Sequence, residues 1–294
     1  MLNRITLLAL LVIIGSCDLI KQDEYREYVV VESYMVSDRQ LPPVFISRTV
    51  PATAEYQFEN AALNTAMVQI HLLNTTGEFR ESSFDYSVGD PGVYNTSVNH
   101  LVIPGRSYEI EITFPDRSEV LYARTRIPER FTVVNLSADS LVYQSENQLE
   151  ITLSNSNTTS QQSVFVFNTL AQDVRYENLT PFYKGFVDDE FITLEQAANS
   201  PSGLLNEANF QTNNDGSITI RYPWIGVAFF GPNLLVANSL DRNLNDLIRS
   251  QEVQLGGSTL PPGEIPNAIY NIEGGIGVFG SISSDTVSVY FERP

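Results

Sequence analysis

Cysteine and histidine, which supply many nucleophiles, bases and metal ligands in enzymes, are scarce in this chain. Its 294 residues include one cysteine, Cys17, and two histidines, His71 and His100. A serine hydrolase needs a histidine base that an acid orients, and the chain has no Gly-x-Ser-x-Gly sequence to carry the nucleophile. Zinc sites are built mainly from His and Cys, and the two histidines are far apart in the sequence. We therefore expect no catalytic residues, no metal centre and no cofactor.

Carboxylates leave two alternatives open. With 35 acidic residues, some pair will always suit glycoside hydrolysis, so a carboxylate-based hydrolase stays an alternative. Calcium prefers oxygen ligands, and Asp188-Asp189-Glu190, or Asp85 with Asp90, could supply them, although no EF-hand spacing is present. The alternation around His71 predicts a solvated side chain on the outer face of a strand.

A glycine-rich run near the C-terminus, Gly274-Gly275-x-Gly277-x-x-Gly280, has spacing similar to that of a phosphate-binding loop. Such a loop follows a strand and opens a helix, whereas this run continues into another apparent strand and carries no basic residue. Glycine within strands marks a bulge or a close approach of two backbones. We therefore expect these glycines to serve packing.

Aromatic residues form the more informative group. They cluster in an irregular stretch of the second half and where regular structure resumes after it. Aromatic platforms bind sugars and protein partners, and the alternative is that they fill the core beneath a long loop. The residues that we predict to contact a ligand or partner are Tyr176, Phe182, Tyr183, Phe186, Trp224, Phe229 and Phe230.

The N-terminus has the features of an export signal. A basic residue precedes an apolar run over residues 5–14. The run is too short for a transmembrane helix, which takes roughly 20 apolar residues. Ile14-Gly15-Ser16-Cys17 resembles the lipobox of bacterial lipoproteins. We expect a signal peptide over residues 1–16, lipidation of Cys17, and a lipidated tether over residues 17–27.

Charge favours attachment to a membrane through the lipid alone. The net charge is −18. Nucleic acid binding needs clustered Lys and Arg, which do not fit so acidic a chain, and an anionic membrane surface would repel the protein that follows the lipid anchor. Asp23 and Glu24 resemble the acidic signal that sends lipoproteins of Bacteroidota to the outer face of the outer membrane. That resemblance implies a lipid-anchored protein at the cell surface, and the alternative is a solvated linker without address value.

Period-2 alternation dominates residues 28–129. Apolar and polar residues alternate in short segments, separated by turn signals such as Asp90-Pro91-Gly92. This pattern predicts an antiparallel β-sandwich. The predicted strands are 29–36, 44–48, 67–73, 108–114 and 121–127.

A second sandwich is predicted over residues 130–294, with an insertion at about 171–267 that contains short helices. A capping box, Thr193 to Gln196, predicts a helix at 194–199, and apolar residues at helical spacing predict another at about 239–250. The predicted strands are 131–136, 149–153, 164–169, 218–222 and a final edge strand at 286–291.

Resemblances to known families refine this all-β prediction. Ala66-x-Val68-x-Ile70, Gly92-Val93-Tyr94 and Gly105-x-x-Tyr108 resemble the transthyretin-like, carboxypeptidase-regulatory β-sandwich. The opening strands of the second half resemble a fibronectin-III-like sandwich. The run Ile269 to Gly280, with the lipobox and the helix before a Pro-rich loop, is similar to a Bacteroidota family called domain of unknown function 4249. This last resemblance spans about residues 17–294.

The family resemblance implies a role in the envelope. Members are often encoded near TonB-dependent outer-membrane receptors, and no catalytic residues are assigned to the family. We therefore expect a non-catalytic binding or accessory subunit and not an enzyme, with an outer-membrane protein as partner and a TonB-dependent receptor as the leading candidate. A structural envelope protein without a small ligand is the main alternative. The insert at about 176–235 and the loop at 256–267 are the surfaces that we expect to bind.

Overall fold

The computed structural model describes residues 25–154, 163–206, 210–252, 254 and 268–294. The predicted signal peptide, Cys17 and the loop at 256–267 lie outside the described residues. Among the described residues, no helix is both long and apolar enough to span a membrane.

Strands dominate the described chain, which confirms the predicted all-β fold. The strands are β1 Val29–Val36, β2 Val44–Arg48, β3 Met67–Leu73, β4 Arg80–Val88, β5 Val93–Asn95, β6 Ser107–Thr113, β7 Leu121–Arg126, β8 Val133–Leu136, β9 Ser140–Val142, β10 Glu150–Leu153, β11 Val164–Ala171, β12 Asn199–Pro201, β13 Leu205–Asn206, β14 Gln211–Thr212, β15 Ile218–Arg221, β16 Gly231–Leu240 and β17 Ile276–Glu292. The helices are α1 Phe58–Ala61, α2 Pro181–Asp188, α3 Leu194–Ala197 and α4 Arg242–Glu252, with short 3-10 turns at Tyr176–Asn178 and Trp224–Gly226.

The strands of the N-terminal half surround a first hydrophobic core. They belong to a long sheet in the order β12-β11-β16-β17-β1-β2-β5-β4-β3-β6-β7. Inward side chains of β1 and β2 share this core with those of β3, β4, β6 and β7, so the sheet bends back on itself to enclose them. Alternating apolar residues such as Val68, Ile70 and Leu72 supply this face, as period-2 patterning requires.

A second core fills the C-terminal half. It lies between β11, β16 and the end of β17 on one side, and a smaller sheet in the order β14-β15-β10-β8 on the other. Its centre holds fully buried rings, including Phe165, Phe167 and Phe291. Two sheets that pack face to face around interleaved apolar side chains make a β-sandwich.

Strand β17 connects the two cores. Its first half pairs in parallel with β1, from Val30 opposite Ile276 to Val36 opposite Ile282, and its second half pairs antiparallel with β16. Phe279 packs in the first core, and Val289 packs in the second. The final edge strand predicted at 286–291 is the end of β17, and the prediction is correct in part. This segment pairs with β16 along its length, and on its other side β9 pairs with it only from Tyr290 onward.

Gly277 permits the close approach of β17 to β1. Its φ is +112°, and a Cβ atom on this residue would lie 2.1 Å from the Val31 carbonyl oxygen. The expectation that the C-terminal glycines serve packing is confirmed at this position. No side chain fits between these two backbones.

Helix α4 is fixed to the first core by a buried aspartate. The Asp241 carboxylate accepts hydrogen bonds from the Leu244 amide, at 2.9 Å, and from the Thr125 hydroxyl of β7, at 2.6 Å. The Asp241 amide donates to the Ser281 carbonyl of β17 at 2.9 Å. Asp241 thus caps the first turn of α4 and joins it to two strands.

Several predicted boundaries change. The helix predicted at 239–250 occupies Arg242–Glu252, because Leu240 ends β16. The capping box at Thr193 is confirmed, with a helix one turn long. Two body strands, β15 and β16, lie within the predicted insertion, and β4 was missed. Strand β16 escaped detection because Leu234, Leu235 and Val236 are consecutive apolar residues and obscure the alternation.

We predict that Gly277→Ala destabilises the protein by more than about 2 kcal/mol, since a left-handed backbone already penalises a Cβ and the contact with Val31 adds to this. Gly185→Ala is the matched control. A Cβ there meets nothing within 4 Å, and alanine in a helix stabilises by up to about 1 kcal/mol. Urea unfolding of both variants checks this, and equal stability of Gly277→Ala and the wild type would contradict it.

We also predict a pH-dependent effect of Asp241→Asn. Burial raises the pKa of Asp241 above its ordinary value despite the hydrogen bonds that it accepts. The folded state then holds the Asp241 proton more tightly than the unfolded chain does, so this residue's contribution to stability falls as pH rises through the folded pKa. Relative to the wild type, the asparagine variant should gain stability as pH rises above about 4, which is the ordinary pKa of aspartate. Urea midpoints across this range measure the difference, and a constant difference would refute the prediction.

Candidate functional site

Three phenylalanine side chains on and beside α2 form an exposed aromatic face, which we define as Phe182, Phe186 and Phe191. Their side chains are 42%, 39% and 73% exposed. The ring centroids of Phe182 and Phe186 lie 5.0 Å apart, and those of Phe186 and Phe191 lie 6.3 Å apart, both in edge-to-face contact. The rings thus hold one another in place on the surface of the protein.

Local sequence explains how the aromatic face is built. Pro181 at the first turn starts α2, where its missing N–H is tolerated. Residues 182 and 186 are four apart, which places both rings on one side of the helix. The chain then turns at Glu190, with φ of +59°, and the Phe191 amide donates to the Phe186 carbonyl at 2.9 Å. This turn brings Phe191 beside the helix.

The opposite side of α2 attaches it to the body. Tyr183 and Val187 are half-buried against a small core that includes Leu179 and Phe229. Thr180, just before the helix, donates its hydroxyl to the Val227 carbonyl at 2.9 Å and its amide to the Ala228 carbonyl at 2.8 Å. The aromatic face is therefore carried on an anchored element.

The predicted binding residues divide into two groups. Phe182 and Phe186 belong to the aromatic face. Tyr176 is exposed beside it, and its hydroxyl donates to Asp188 at 2.7 Å. Tyr183 is half-buried, and its hydroxyl contacts that of Ser200. Phe191 was visible in the sequence but was left out of the predicted set.

The other three predicted residues are corrected by the structure. Phe229 and Phe230 are buried in the small core and the second core, respectively. Trp224 is half-buried, with its ring against Tyr143 at 5.5 Å and Phe291 at 6.2 Å. For these three side chains the core-filling alternative is the correct one, since each packs against other apolar side chains.

A pocket of about 380 Å³ opens beside Phe191. Its lining combines apolar side chains with three polar ones and consists of Val187, Glu190, Phe191, Ile192, Thr193 and Gln196. Thr193 and Gln196 are already used by the capping box of α3. Glu190 is thus the polar lining residue with no role in that cap.

Acidic side chains surround the aromatic face. Asp188 is the last residue of α2, Asp189 and Glu190 follow it, and Glu195 lies on α3. Lys184 is the basic residue of α2, and its ammonium lies 5.5 Å from the centre of the Tyr176 ring. The rim is therefore mostly negative.

A second cluster, which the sequence analysis did not identify, lies on the outer face of the β4-β3-β6-β7 segment. Strand register places Ser83, His71, Glu109 and Arg124 side by side. His71 was predicted to be solvated, but it is only 2% exposed, and it lies between Ser83 of β4 and Glu109 of β6. Burial lowers the pKa of His71, and the nearby Arg80 charge adds to that effect.

Both carboxylates of this cluster are held by arginines. Glu109 accepts from Arg80 Nη2 at 2.5 Å and from Arg124 Nε at 2.7 Å, and Glu111 also accepts from Arg80. Burial acts to raise the pKa of Glu109, but these arginines outweigh it and keep the pKa below its usual range. A carboxylate pair held in this way is a poor general acid, so it does not favour the hydrolase alternative.

The ligand atoms of His71, Glu109 and Glu111 all lie within 4.8 Å of one another. Within the described part of the chain, no other three His, Cys, Asp or Glu side chains are grouped this closely. The calcium alternative named two other sets, Asp85 with Asp90 and residues 188–190. Neither set forms such a group among the described residues.

Similarity to solved structures is low. The chain aligns with a tetra-tandem repeat from the extending region of a large adhesion protein at TM-score 0.26 and 12% identity, covering 90% of this chain and 49% of that one. It aligns with the FN1–FN3 domains of chicken CNTN1 at TM-score 0.28 and 10% identity, covering 89% and 66%. The match to Escherichia coli alpha-2-macroglobulin has TM-score 0.25 and 8% identity, covering 74% and 13%. The chain spans about half the length of that adhesion-protein structure.

Sequence comparison is more decisive at the level of the family. No curated protein matches the chain. The family described as "Domain of unknown function (DUF4249)" matches residues 18–288, which is nearly all of the 294-residue chain. The resemblance seen in the sequence is thereby confirmed, and the chain belongs to the family called domain of unknown function 4249.

Proposed function

We propose that the protein is a lipid-anchored envelope protein that binds a partner without catalysing a reaction. We further propose that the partner is an outer-membrane protein, with a TonB-dependent receptor as the leading candidate. The single observation that carries the proposal is the exposed aromatic face of Phe182, Phe186 and Phe191. The lipobox at Cys17 supports the location.

The aromatic face suits a protein interface for energetic reasons. Burying apolar surface contributes about 25 cal/mol per Å², and aromatic side chains dominate the energetics of many interfaces. The three rings already pack against one another at 5.0 and 6.3 Å. Less rotamer entropy is therefore lost when a partner covers them than for free side chains.

The acidic rim narrows the class of partner. Asp188, Asp189 and Glu190 would be repelled by anionic lipid headgroups and by nucleic acid. A protein surface with an apolar centre and basic residues around it is complementary to this face. An integral outer-membrane protein would lie close to this face, because it would share the membrane with the proposed lipid anchor.

A small ligand is the second candidate, and the pocket beside Phe191 favours it. Its volume of about 380 Å³ falls within the range of small-molecule sites, which is about 300–1,000 Å³. Phe191 offers a ring for stacking, and Glu190 offers a hydrogen-bond acceptor. A sugar would use both contacts.

We predict that Cys17→Ser abolishes membrane attachment. Without the thiol no acyl chain is added, and each acyl CH2 that is lost removes about 0.8 kcal/mol of membrane affinity. Fractionation of source cells should move the protein out of the outer-membrane fraction, and intact-mass measurement should show no acyl mass. A Cys17→Ser protein that stays in that fraction would contradict lipid anchoring.

We predict that replacing the aromatic face by serine, in the triple variant Phe182→Ser/Phe186→Ser/Phe191→Ser, abolishes capture of the partner. In a gentle detergent pull-down of the tagged protein, the wild type should recover a TonB-dependent receptor in near-equal amount. Phe79→Ser is the matched control, since Phe79 is 69% exposed and lies in the N-terminal half.

Circular dichroism and urea unfolding establish that the triple variant is folded. Recovery of the receptor by the folded triple variant at the wild-type level would sink the proposed interface. If the wild type and both variants are each recovered alone, the remaining hypotheses are binding of a small ligand and a structural role in the envelope.

A further inference from the structure

We propose that His71, Glu109 and Glu111 form a binding site for one divalent transition metal ion, and that Arg80 takes the place of the ion when no metal is bound. The site lies on the outer face of the N-terminal half and is independent of the function proposed above. Zn²⁺ is the ion that we choose as the probe.

Strand register brings the three ligands together. His71 on β3 is directly opposite Glu109 on β6, and Glu111 lies two residues further along β6 on the same face. Side chains at such positions are neighbours across a sheet. One ligand atom from each residue lies within 4.8 Å of the other two, which is a spacing that a single ion can bridge with small side-chain adjustments.

The imidazole of His71 supplies a second, independent observation. Its Nδ1 atom hydrogen-bonds to the Ser83 hydroxyl at 2.8 Å, whereas its Nε2 atom is buried and has no hydrogen-bond partner. A buried polar atom without a partner carries a free-energy penalty. Metal-bound histidines characteristically use one nitrogen for the ion and donate the other N–H to a polar neighbour. The contact with Ser83 provides that arrangement and leaves Nε2 as the ligand atom.

The guanidinium of Arg80 occupies the position that we propose for the metal ion. Its Nη2 atom contacts Glu109 Oε1 at 2.5 Å and also contacts Glu111 Oε2. One cationic group thus bridges both carboxylates, as a metal ion would. The Arg80 side chain is 42% exposed, so it can leave for solvent without opening the core.

The charges around the site favour replacement of Arg80 by a divalent cation. When Arg80 leaves, the two carboxylates and the remaining guanidinium of Arg124 carry a net charge of −1, which attracts a dication. Arg124 Nε stays on Glu109 Oε2 at 2.7 Å and leaves Oε1 for the ion.

The donor set favours a transition metal over calcium or magnesium. One imidazole nitrogen with two carboxylate oxygens suits Zn²⁺, and three protein ligands leave a fourth position for water or a partner side chain. Calcium and magnesium prefer oxygen-only sites. The competing account is a closed charge network in which Arg80 is a permanent member.

The direct test uses the purified chain after chelator treatment, with Zn²⁺ added. Because the sequence has only two histidines, their imidazole NMR signals show directly which histidine binds Zn²⁺. We expect one Zn²⁺ per chain, with the His71 signals shifted and those of His100 unchanged. Zn²⁺ that leaves the His71 signals unperturbed would overturn the proposal, and it would do so on the wild-type protein without any variant.

Calorimetric titration of variants tests the role of Arg80. Arg80→Met should bind Zn²⁺ about tenfold more tightly, since the competing cation is gone, and Ser83→Ala should bind about tenfold more weakly. Arg126→Met is the matched control, because Arg126 is an exposed arginine on the adjacent β7 that pairs with Glu129, and its affinity should equal that of the wild type. Each variant is first checked for an intact fold by its urea midpoint. Equal affinities of the wild type and a folded Arg80→Met variant would show that Arg80 does not compete with the ion, and this result would overturn the proposal.

Discussion

The pairing of β17 with β1 is the constraint on which the rest of the structure depends. It joins the end of the chain to its beginning in parallel register, and it does so through a backbone contact at Gly277 that excludes any side chain. The same strand then continues along β16 into the second core. Since each core takes side chains from β17, neither half completes its hydrophobic interior without it.

This arrangement explains where the surface features lie. Helix α4 packs against β17 and is capped by Asp241, whose carboxylate reaches Thr125 on β7. Sheet strands on the far side of the first core present His71 and Glu109 outward, and the C-terminal sandwich carries α2 with its aromatic face. Both candidate sites are thus carried on elements that pack against a hydrophobic core.

Local patterning predicted much of the fold, and long-range contacts decided the rest. The bounds of β1, β2 and β3 agree with the prediction, and in β1 buried residues alternate with more exposed ones. The central position of β17 could not be read from alternation, because partners distant in sequence determine whether a strand is at an edge. The burial of His71 was likewise missed, because the residues beside it, Ser83 and Glu109, come from other strands. Phe229 and Phe186 look alike in sequence, yet one is buried and the other exposed, because only tertiary packing distinguishes a core ring from a surface ring.

We propose that the aromatic face of α2 contacts an outer-membrane protein in the cell. The most direct measurement is photo-crosslinking in living source cells, with a benzophenone amino acid placed at position 186 and, in parallel, at the exposed position 79. We expect one dominant adduct from position 186, formed with an integral outer-membrane protein, and no such adduct from position 79. Adducts of equal yield from both positions, or none from position 186, would contradict it.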